Sequence, residues 1–298
     1  SKQMETSFSS LEKIEKRLHS SKWNRFISRP LKYLKGHSLK QISQRSKKGF
    51  LIGTTTFFGT PLKLLLPSGL DIYLFGAKTH PSEIRLAKYL LKNLSANSIF
   101  FDVGAHFGYF TLLAQHCQAK KIISFEASTN HFELLKINTA TYPSIEIIQN
   151  AIIDKNDIVE FYEFPPLYAE YNSVNKEQYA NERWSKNNTP IHRKVKGISL
   201  DTYIETHQIT PDFIKIDVEG GELKVLKGLE QSLKKHALIL SLEYIFSAIP
   251  NSVHQQAYDF LISLDYLPYG INNDGSIIKL DSIEQLAQLH QQDSENEE

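Results

Sequence analysis

The segment from Ile99 to Ala114 places a buried strand, two glycines and a helix in immediate succession. Residues 99–103 are mostly apolar and β-prone, as expected of a strand that is covered on both faces. Gly104 and Gly108 follow it. Apolar side chains then recur at the three- and four-residue spacing of a helix: Phe107, Phe110, Leu113 and Ala114. This order predicts the first half of a βαβ unit, whose turn brings backbone close to a ligand at the carboxyl end of the strand.

The spacing of the turn limits the kind of ligand. A dinucleotide fingerprint reads G-x-G-x-x-G, whereas this turn reads D-x-G-x-x-x-G from Asp102 to Gly108. The pattern favours a nucleoside ligand without a pyrophosphate. A tight turn with purely structural glycines is the alternative interpretation of this segment alone.

Strands and helices continue to alternate beyond the turn. Strands are predicted at 121–125, 145–149, 212–217 and 237–242, with helices at 82–94, 128–139, 219–229 and 253–264. The alternation predicts an α/β fold with one doubly wound, mostly parallel sheet. Two weaker strands near Tyr266 and Ser276 are expected to close it.

The chain divides into three parts. Residues 1–48 are predicted to form a basic helical extension, 49–290 the main domain, and 291–298 an acidic disordered tail. Three short strands, at 54–58, 62–66 and 70–75, are expected as a β-hairpin lead-in. Residues 165–190 are expected to form a long polar loop that contributes to substrate selection.

Charge is segregated along the chain. Residues 1–48 carry a net charge of +10 and the remainder −9. The basic part either folds back on the acidic body or docks on an acidic partner or a membrane surface, and we expect folding back. Nucleic acid is not expected as a partner. The single cysteine, Cys117, and the lack of a long apolar run favour a cytoplasmic protein, with Cys117 as a core residue.

Polar residues follow the predicted strands where each one ends: Asp102, Glu126, Asn150, Asp217 and Glu243. The carboxyl ends of parallel strands meet at one edge of the sheet, which is where such folds bind ligands. Glu126 lies eighteen residues after Gly108, a position suited to accept hydrogen bonds from both hydroxyls of a ribose.

Three segments together resemble the motifs of FkbM-type methyltransferases: Phe101-Asp-Val-Gly-Ala-His-Phe-Gly-Tyr109, Phe125-Glu-Ala127 and Ile216-Asp-Val-Glu-Gly-Gly-Glu-Leu-Lys-Val-Leu-Lys-Gly228. The likeness spans about 50–269. It implies a class I, Rossmann-like methyltransferase that depends on S-adenosylmethionine and methylates a hydroxyl of a sugar, glycan or natural product. His106 departs from the pattern where the family commonly has Asn, and Ala127 where it often has Pro.

The resemblance also implies which residues bind the cofactor, with Glu126 at the ribose and the Asn150-Ala151 turn beside the adenine. The full set is Asp102, Gly104, Ala105, His106, Gly108, Tyr109, Glu126, Ala127, Asn150, Ala151 and Asp217.

The catalytic candidates are Asp217, Lys215, Glu243 and His80. Lys215 and Asp217 are two apart on one strand, so they share a face. Lys215 is either a base or the partner of a carboxylate. Asp217 and Glu243 would hold the acceptor hydroxyl, a proton or a divalent cation. No metal ligands are assigned, and the need for a metal is open.

Two functions remain open from the sequence. The first is an active O-methyltransferase that acts on a small molecule or glycan. The second is a catalytically weak cofactor-binding module that acts as a scaffold, with the basic segment docking an acidic partner or membrane. The oligomeric state is not encoded in any motif.

Overall fold

The computed structural model describes residues 1–46, 48–165, 172, 186, 188–291 and 293. Its first part is helical, as expected for the basic segment. The helices are α1 (Lys2–Leu18), α2 (Lys22–Ser28) and α3 (Pro30–Ser46). In α1, Ser1 caps the amino terminus, and Leu11 and Ile14 are buried in the core.

A two-stranded hairpin leads into the main domain. Strands β1 (Phe50–Thr55) and β2 (Pro61–Leu66) pair antiparallel. The prediction of a third strand is wrong, because Leu70–Phe75 forms a helix, α4. This helix ends at Gly76, which adopts the left-handed conformation. This segment has four consecutive buried apolar residues, Ile72 to Phe75, and a run that short carries no periodicity that separates a strand from a helix, so only the surrounding packing decides.

Five parallel strands form the central sheet, in the order β10-β9-β3-β4-β5. They are β3 (Ile99–Val103), β4 (Lys121–Phe125), β5 (Ile145–Ile148), β9 (Phe213–Ile216) and β10 (Ile239–Leu242). Its helices are α5 (Pro81–Asn93), α6 (Tyr109–His116), α7 (Thr129–Thr139), α8 (Leu200–His207), α9 (Glu222–Lys227), α10 (Glu230–Lys235) and α11 (Val253–Ser263). The predicted α/β fold with a doubly wound parallel sheet is confirmed.

Both faces of the sheet are covered. Successive strand residues point to opposite faces, so Phe100 and Phe213 belong to one apolar core, while Phe101 and Ile214 belong to another. The first core also holds side chains of α1, α5 and α6. This double burial explains why the strands read as continuous apolar runs.

Two smaller sheets flank the central one. Strands β6 (Ala151–Ile152), β7 (Ile158–Glu163) and β8 (Ile191–Ile198) form the first, in the order β6-β8-β7. Strands β11 (Tyr269–Ile271) and β12 (Ile277–Lys279) form the second and are followed by α12 (Glu284–Leu289). They pair with each other across a turn at Gly275, so the expectation that they close the central sheet is wrong.

Most of the predicted loop and tail fall outside the described residues. Of the loop, Asn172 accepts a hydrogen bond from the Phe164 N–H. Of the tail, Asp293 accepts two hydrogen bonds from Arg85, at 3.0 and 2.8 Å. Among the described residues, no helix has the length and apolar character to span a lipid bilayer.

Candidate cofactor and acceptor site

The turn after β3 is fixed by close backbone packing. Gly104 has φ +81°, and a Cβ on it would lie 1.8 Å from the Asp217 carbonyl oxygen. Gly108 has φ +95°, and its Cβ would lie 2.8 Å from Leu135 Cδ1. His106 has φ +51°, a conformation in which non-glycine residues are uncommon. Gly104 is therefore required both by its conformation and by the approach of the Asp217 carbonyl just after β9, whereas Gly108 is required by its conformation and lies against Leu135 of α7.

Glu126 follows β4 and is held by backbone donors. Its two carboxyl oxygens accept hydrogen bonds from the N–H groups of His106 and Ser128, each at 2.8 Å. Burial raises the pKa of Glu126 to about 7 despite these bonds, and the Asp102 charge acts in the same direction. The orientation of this carboxyl group is thus set by the glycine turn and by the start of α7.

One cavity brings together seven of the eleven residues predicted to bind the cofactor. Its lining includes Gly104, His106, Glu126, Ala127, Asn150, Ala151 and Asp217. The amide of Asn150 donates to the Lys196 carbonyl at 2.9 Å, so this side chain is tied to β8. The cavity lies at the carboxyl edge of the central sheet, where the sequence places the ligand.

The other four predicted residues, Asp102, Ala105, Gly108 and Tyr109, do not line this cavity. Asp102 is fully buried beneath the turn and accepts a hydrogen bond from the Thr111 hydroxyl at 2.7 Å. Tyr109 is buried in the first core, with its ring 5.0 Å from that of Phe110. Asp102 and Tyr109 are thus buried on either side of the turn in sequence, while Ala105 and Gly108 belong to the turn itself.

His131 lines the cavity and was missed by sequence reasoning. It is 1% exposed, and neither ring nitrogen has a hydrogen-bond partner among the described residues. Its ring centroid lies 5.2 Å from that of His106. Burial, aided by the Lys78 charge, lowers the pKa of His131 to about 4, so the ring is neutral at neutral pH. Its position in the first turn of α7 was the only available signal.

His106, Glu126 and His131 also form a group that can hold a cation. Each offers one ligand atom, and these atoms lie within 4.8 Å of one another. Imidazole and carboxylate are ligands of divalent transition metals. The sequence assigned no such set, and the same three side chains border the cavity. They could therefore meet either a polar organic ligand or a metal.

Lys215 is enclosed by acceptors. Its Nζ lies 3.3 Å from Asp102 Oδ1, 3.4 Å from the Gly104 carbonyl and 3.7 Å from Asp217 Oδ2. The sequence left open whether Lys215 is a base or the partner of a carboxylate, and the structure shows it paired with carboxylates. Burial opposes the charge of Asp217, but Lys215, His106 and Lys78 outweigh it and lower the pKa of that carboxyl.

Glu243 and Glu222 complete an acidic edge beside Asp217. Strands β9 and β10 pair in register up to Ile216 and Leu242, so Asp217 and Glu243 come next on adjacent strands. Glu243 is exposed and is not among the residues that line the cavity. Partial desolvation nevertheless raises the pKa of Glu243 to about 7, and Asp217 and Glu222 add to the shift. Burial also raises the pKa of Glu222 to about 7, with Asp217 adding to it. Glu222 accepts from the Val218 N–H at 3.3 Å, in agreement with a structural role.

The segment before α5 contributes a second cation. Lys78 Nζ lies 2.8 Å from Glu83 Oε1. Although burial opposes its charge, the carboxylates of Glu83, Asp217 and Asp71 raise the pKa of Lys78. His80 is exposed and caps α5 by accepting a hydrogen bond from the Ser82 N–H. That bond accounts for the position of His80.

Cys117 is buried at the end of α6, where its thiol donates to the Leu90 carbonyl. Burial raises the pKa of the thiol to about 12, as expected for an unreactive core cysteine.

The parallel sheet, its glycine turn and the carboxyl groups at the strand ends define a doubly wound α/β protein with its ligand site at the carboxyl edge. The chain belongs to the FkbM methyltransferase family. The family model described as Methyltransferase FkbM domain matches residues 102–268, more than half of the chain. The resemblance drawn from the motifs is thereby confirmed.

The chain is also similar to the hexuronic acid methyltransferase AglP of Haloferax volcanii, with 25% identity over 150 residues. The match covers 49% of this chain and 56% of that protein, so the chain spans about half the length of this curated relative.

Two solved structures are similar over parts of the chain. An S-adenosylmethionine dependent methyltransferase from Listeria monocytogenes shares 27% identity over 24% of this chain and 36% of its own, with a TM-score of 0.20. The precorrin-6y C5,15-methyltransferase of Geobacter metallireducens shares 11% identity over 63% of this chain and 71% of its own, with a TM-score of 0.32.

Proposed function

We propose that this protein is an S-adenosylmethionine-dependent O-methyltransferase that acts on a hydroxyl group of a sugar or glycan. One observation carries the proposal: a single cavity has Glu126 and Asp217 in its lining, at the ends of β4 and β9. The first carboxyl group is placed to bind a cofactor, and the second begins the acidic edge where an acceptor would lie. The similarity to a hexuronic acid methyltransferase supports a sugar as the acceptor.

The described residues fit the proposed cofactor. Glu126 can accept hydrogen bonds from ribose hydroxyls, and Ala127, Asn150 and Ala151, which would flank the base, line the same cavity. Neither ring nitrogen of His131 has a hydrogen-bond partner among the described residues, and buried polar atoms are normally hydrogen-bonded. A polar ligand in this cavity would satisfy them.

Bound there, S-adenosylmethionine supplies a methyl group that is activated by a sulfonium charge. The main task of the protein is to position the acceptor oxygen against that methyl group. Asp217 stays ionised because Lys215 and Lys78 lower the pKa of its carboxyl, so it can accept a hydrogen bond from the acceptor hydroxyl.

Glu243 is the better candidate for the base. Its pKa of about 7 matches the range in which a general base works best at neutral pH. Lys215 is the weaker candidate, because its Nζ already faces Asp102, Asp217 and the Gly104 carbonyl. In this assignment Lys215 positions Asp217 and the turn.

Transfer of labelled methyl from S-adenosylmethionine to a panel of mono- and oligosaccharides tests the proposal. We expect Asp217→Asn to lower turnover by about a hundredfold while the affinity for S-adenosylmethionine, measured by calorimetry, stays within a few fold. Asp259→Asn, an exposed acid on α11, is the matched control. If turnover survives both Asp217→Asn and Glu243→Gln, the acceptor edge is wrongly assigned.

Two further outcomes separate the alternatives. Cofactor binding without transfer to any acceptor would support a scaffold that kept its pocket. Loss of transfer on adding a chelator would support a cation held by His106, Glu126 and His131.

A further inference from the structure

Helices α2 and α3 carry five large apolar side chains that the rest of the described chain leaves exposed, and four of them lie between residues 23 and 34. Trp23 is 68% exposed and Leu31 is 82% exposed, while Ile27 and Leu34 are each more than half exposed. We call these four side chains the apolar face. Single exposed apolar residues are ordinary on protein surfaces. Here Trp23 and Ile27 lie one turn apart on α2, and Leu31 and Leu34 lie one turn apart on α3, so each helix presents a pair of neighbouring apolar side chains, and clustered exposure of this kind marks interaction sites.

The exposure belongs to the folded arrangement, because the other side of α3 is already packed. A Cβ on Gly36 would lie 3.1 Å from Leu70 Cδ1 and 3.2 Å from Tyr73 Cε1. The ring of Tyr33 meets that of Phe75 edge to face at 6.2 Å. Ser43 is fully buried. Helix α3 therefore cannot turn its apolar face inward without displacing these contacts.

The charge around the apolar face has one sign. From Lys16 to Leu70 the chain has no acidic residue and twelve lysines and arginines, and the exposed ones include Lys22, Arg29 and Lys35 within or beside the segment that carries the apolar face. The nearest preceding acid, Glu15, is held by Lys88 Nζ at 2.5 Å. In this ion pair the N-terminal segment contributes the acid, Glu15, and the main domain contributes the lysine, Lys88. The basic side chains of the segment therefore take no part in it.

Exposed apolar side chains beside lysines and arginines match one surface in particular. In an anionic bilayer, apolar groups enter the boundary between headgroups and acyl chains, while cations remain among the headgroups. Tryptophan favours that boundary because its ring is apolar and its N–H is polar. A nucleic acid would use the cations but would gain little from isoleucine and leucine, since bases stack on aromatic rings.

We propose that α2 and α3 dock this protein peripherally on an anionic lipid surface through the apolar face and its flanking cations. The proposal does not depend on the methyl-transfer assignment. The expected folding back and the proposed docking occur together, because α1 and α3 pack on the main domain and still leave the apolar face uncovered.

The test uses the full chain and vesicles of phosphatidylcholine, with and without about 30 mol % phosphatidylserine. We expect co-sedimentation with the anionic vesicles only, and weaker binding as salt rises from about 0.1 M, because exposed charges are screened beyond about 10 Å there. The double variant Trp23→Ser/Leu31→Ser should bind at least tenfold more weakly. Ile137→Ser, at a 49% exposed helical position on α7, should bind as the parent does.

A second measurement reports the insertion directly. In a Trp184→Phe background, Trp23 is the remaining tryptophan, and brominated lipid should quench its fluorescence. Absence of both vesicle binding and quenching overturns the proposal. Binding of duplex RNA or DNA that is unchanged by Trp23→Ser/Leu31→Ser, without vesicle binding, would show instead that the cations serve a nucleic acid.

Discussion

Two neighbouring regions of the candidate site are built by different means. In the proposed cofactor region, backbone determines the arrangement, because Gly104 lies against the Asp217 carbonyl and two N–H groups hold Glu126. In the proposed acceptor region, charged side chains determine it, because Lys215 lies among Asp102, Asp217 and a carbonyl oxygen. Backbone packing admits few substitutions, whereas a set of side-chain charges can be retuned by one residue. A change in the cofactor region should therefore affect folding or binding, and a change in the acceptor region should affect turnover.

The largest effect is expected at Gly104. In Gly104→Ala the new Cβ meets the Asp217 carbonyl oxygen in a conformation that alanine adopts poorly, so we expect a loss of about 3 kcal/mol or more in unfolding free energy. Calorimetry should show a Tm lower by roughly 6–12 °C. The matched control is Gly53→Ala, where a Cβ would meet nothing within 4 Å. A Tm for Gly104→Ala equal to that of the control would show that the turn is not fixed by this contact.

The next effect is expected at Glu243, in turnover and its pH dependence. As a base with a pKa raised to about 7, Glu243 must lose its proton, so kcat at saturating cofactor should rise with pH through about 7. Glu243→Gln should lower kcat by about a hundredfold or more and remove that rise. Asp217→Asn should lower kcat and keep a rise, but the rise should move to lower pH because the Asp217 charge helps to raise the pKa of Glu243. If kcat of Glu243→Gln still rises with pH through about 7, a group other than Glu243 is the base.

The smallest effect is expected at Glu126, in cofactor affinity. Glu126→Gln removes the carboxylate charge and leaves one of two backbone N–H groups without its acceptor, so affinity for S-adenosylmethionine should fall about ten- to a hundredfold. The affinity of the unsubstituted protein for S-adenosylmethionine should also fall as the pH drops below about 7, because the Glu126 carboxyl group then takes up a proton. Calorimetric titration at several pH values measures both. Glu133→Gln, an exposed acid on α7, should leave affinity unchanged.

Much of the fold could be predicted because it depends on local patterns. The five parallel strands are short apolar runs that carry their own signal, and the N-cap of α7 at Ser128 is a local motif. The helix at Leu70–Phe75 could not be predicted, because its short buried run has no periodicity that distinguishes a helix from a strand. The hairpin of β11 and β12 could not be predicted, because the sequence of a strand does not specify which strand it pairs with.

The candidate site divides in the same way. Glu126, Gly104 and Asp217 follow strands at recognisable positions, so their meeting at one edge could be predicted. The pairing of Lys215 with Asp102 joins residues 113 positions apart and was one of two open interpretations. His131 had no motif, and only the course of α7 places its ring beside that of His106.

The sequence by itself determined the α/β class, the family and the positions of the strand-end carboxyl groups, since these rest on periodicity and on contiguous motifs. Only the tertiary structure decided which groups are buried together, which pKa values rise to about 7 and which side of α3 stays exposed. The physical reason is that desolvation and charge coupling depend on neighbours in space, and folding brings those neighbours from distant parts of the chain.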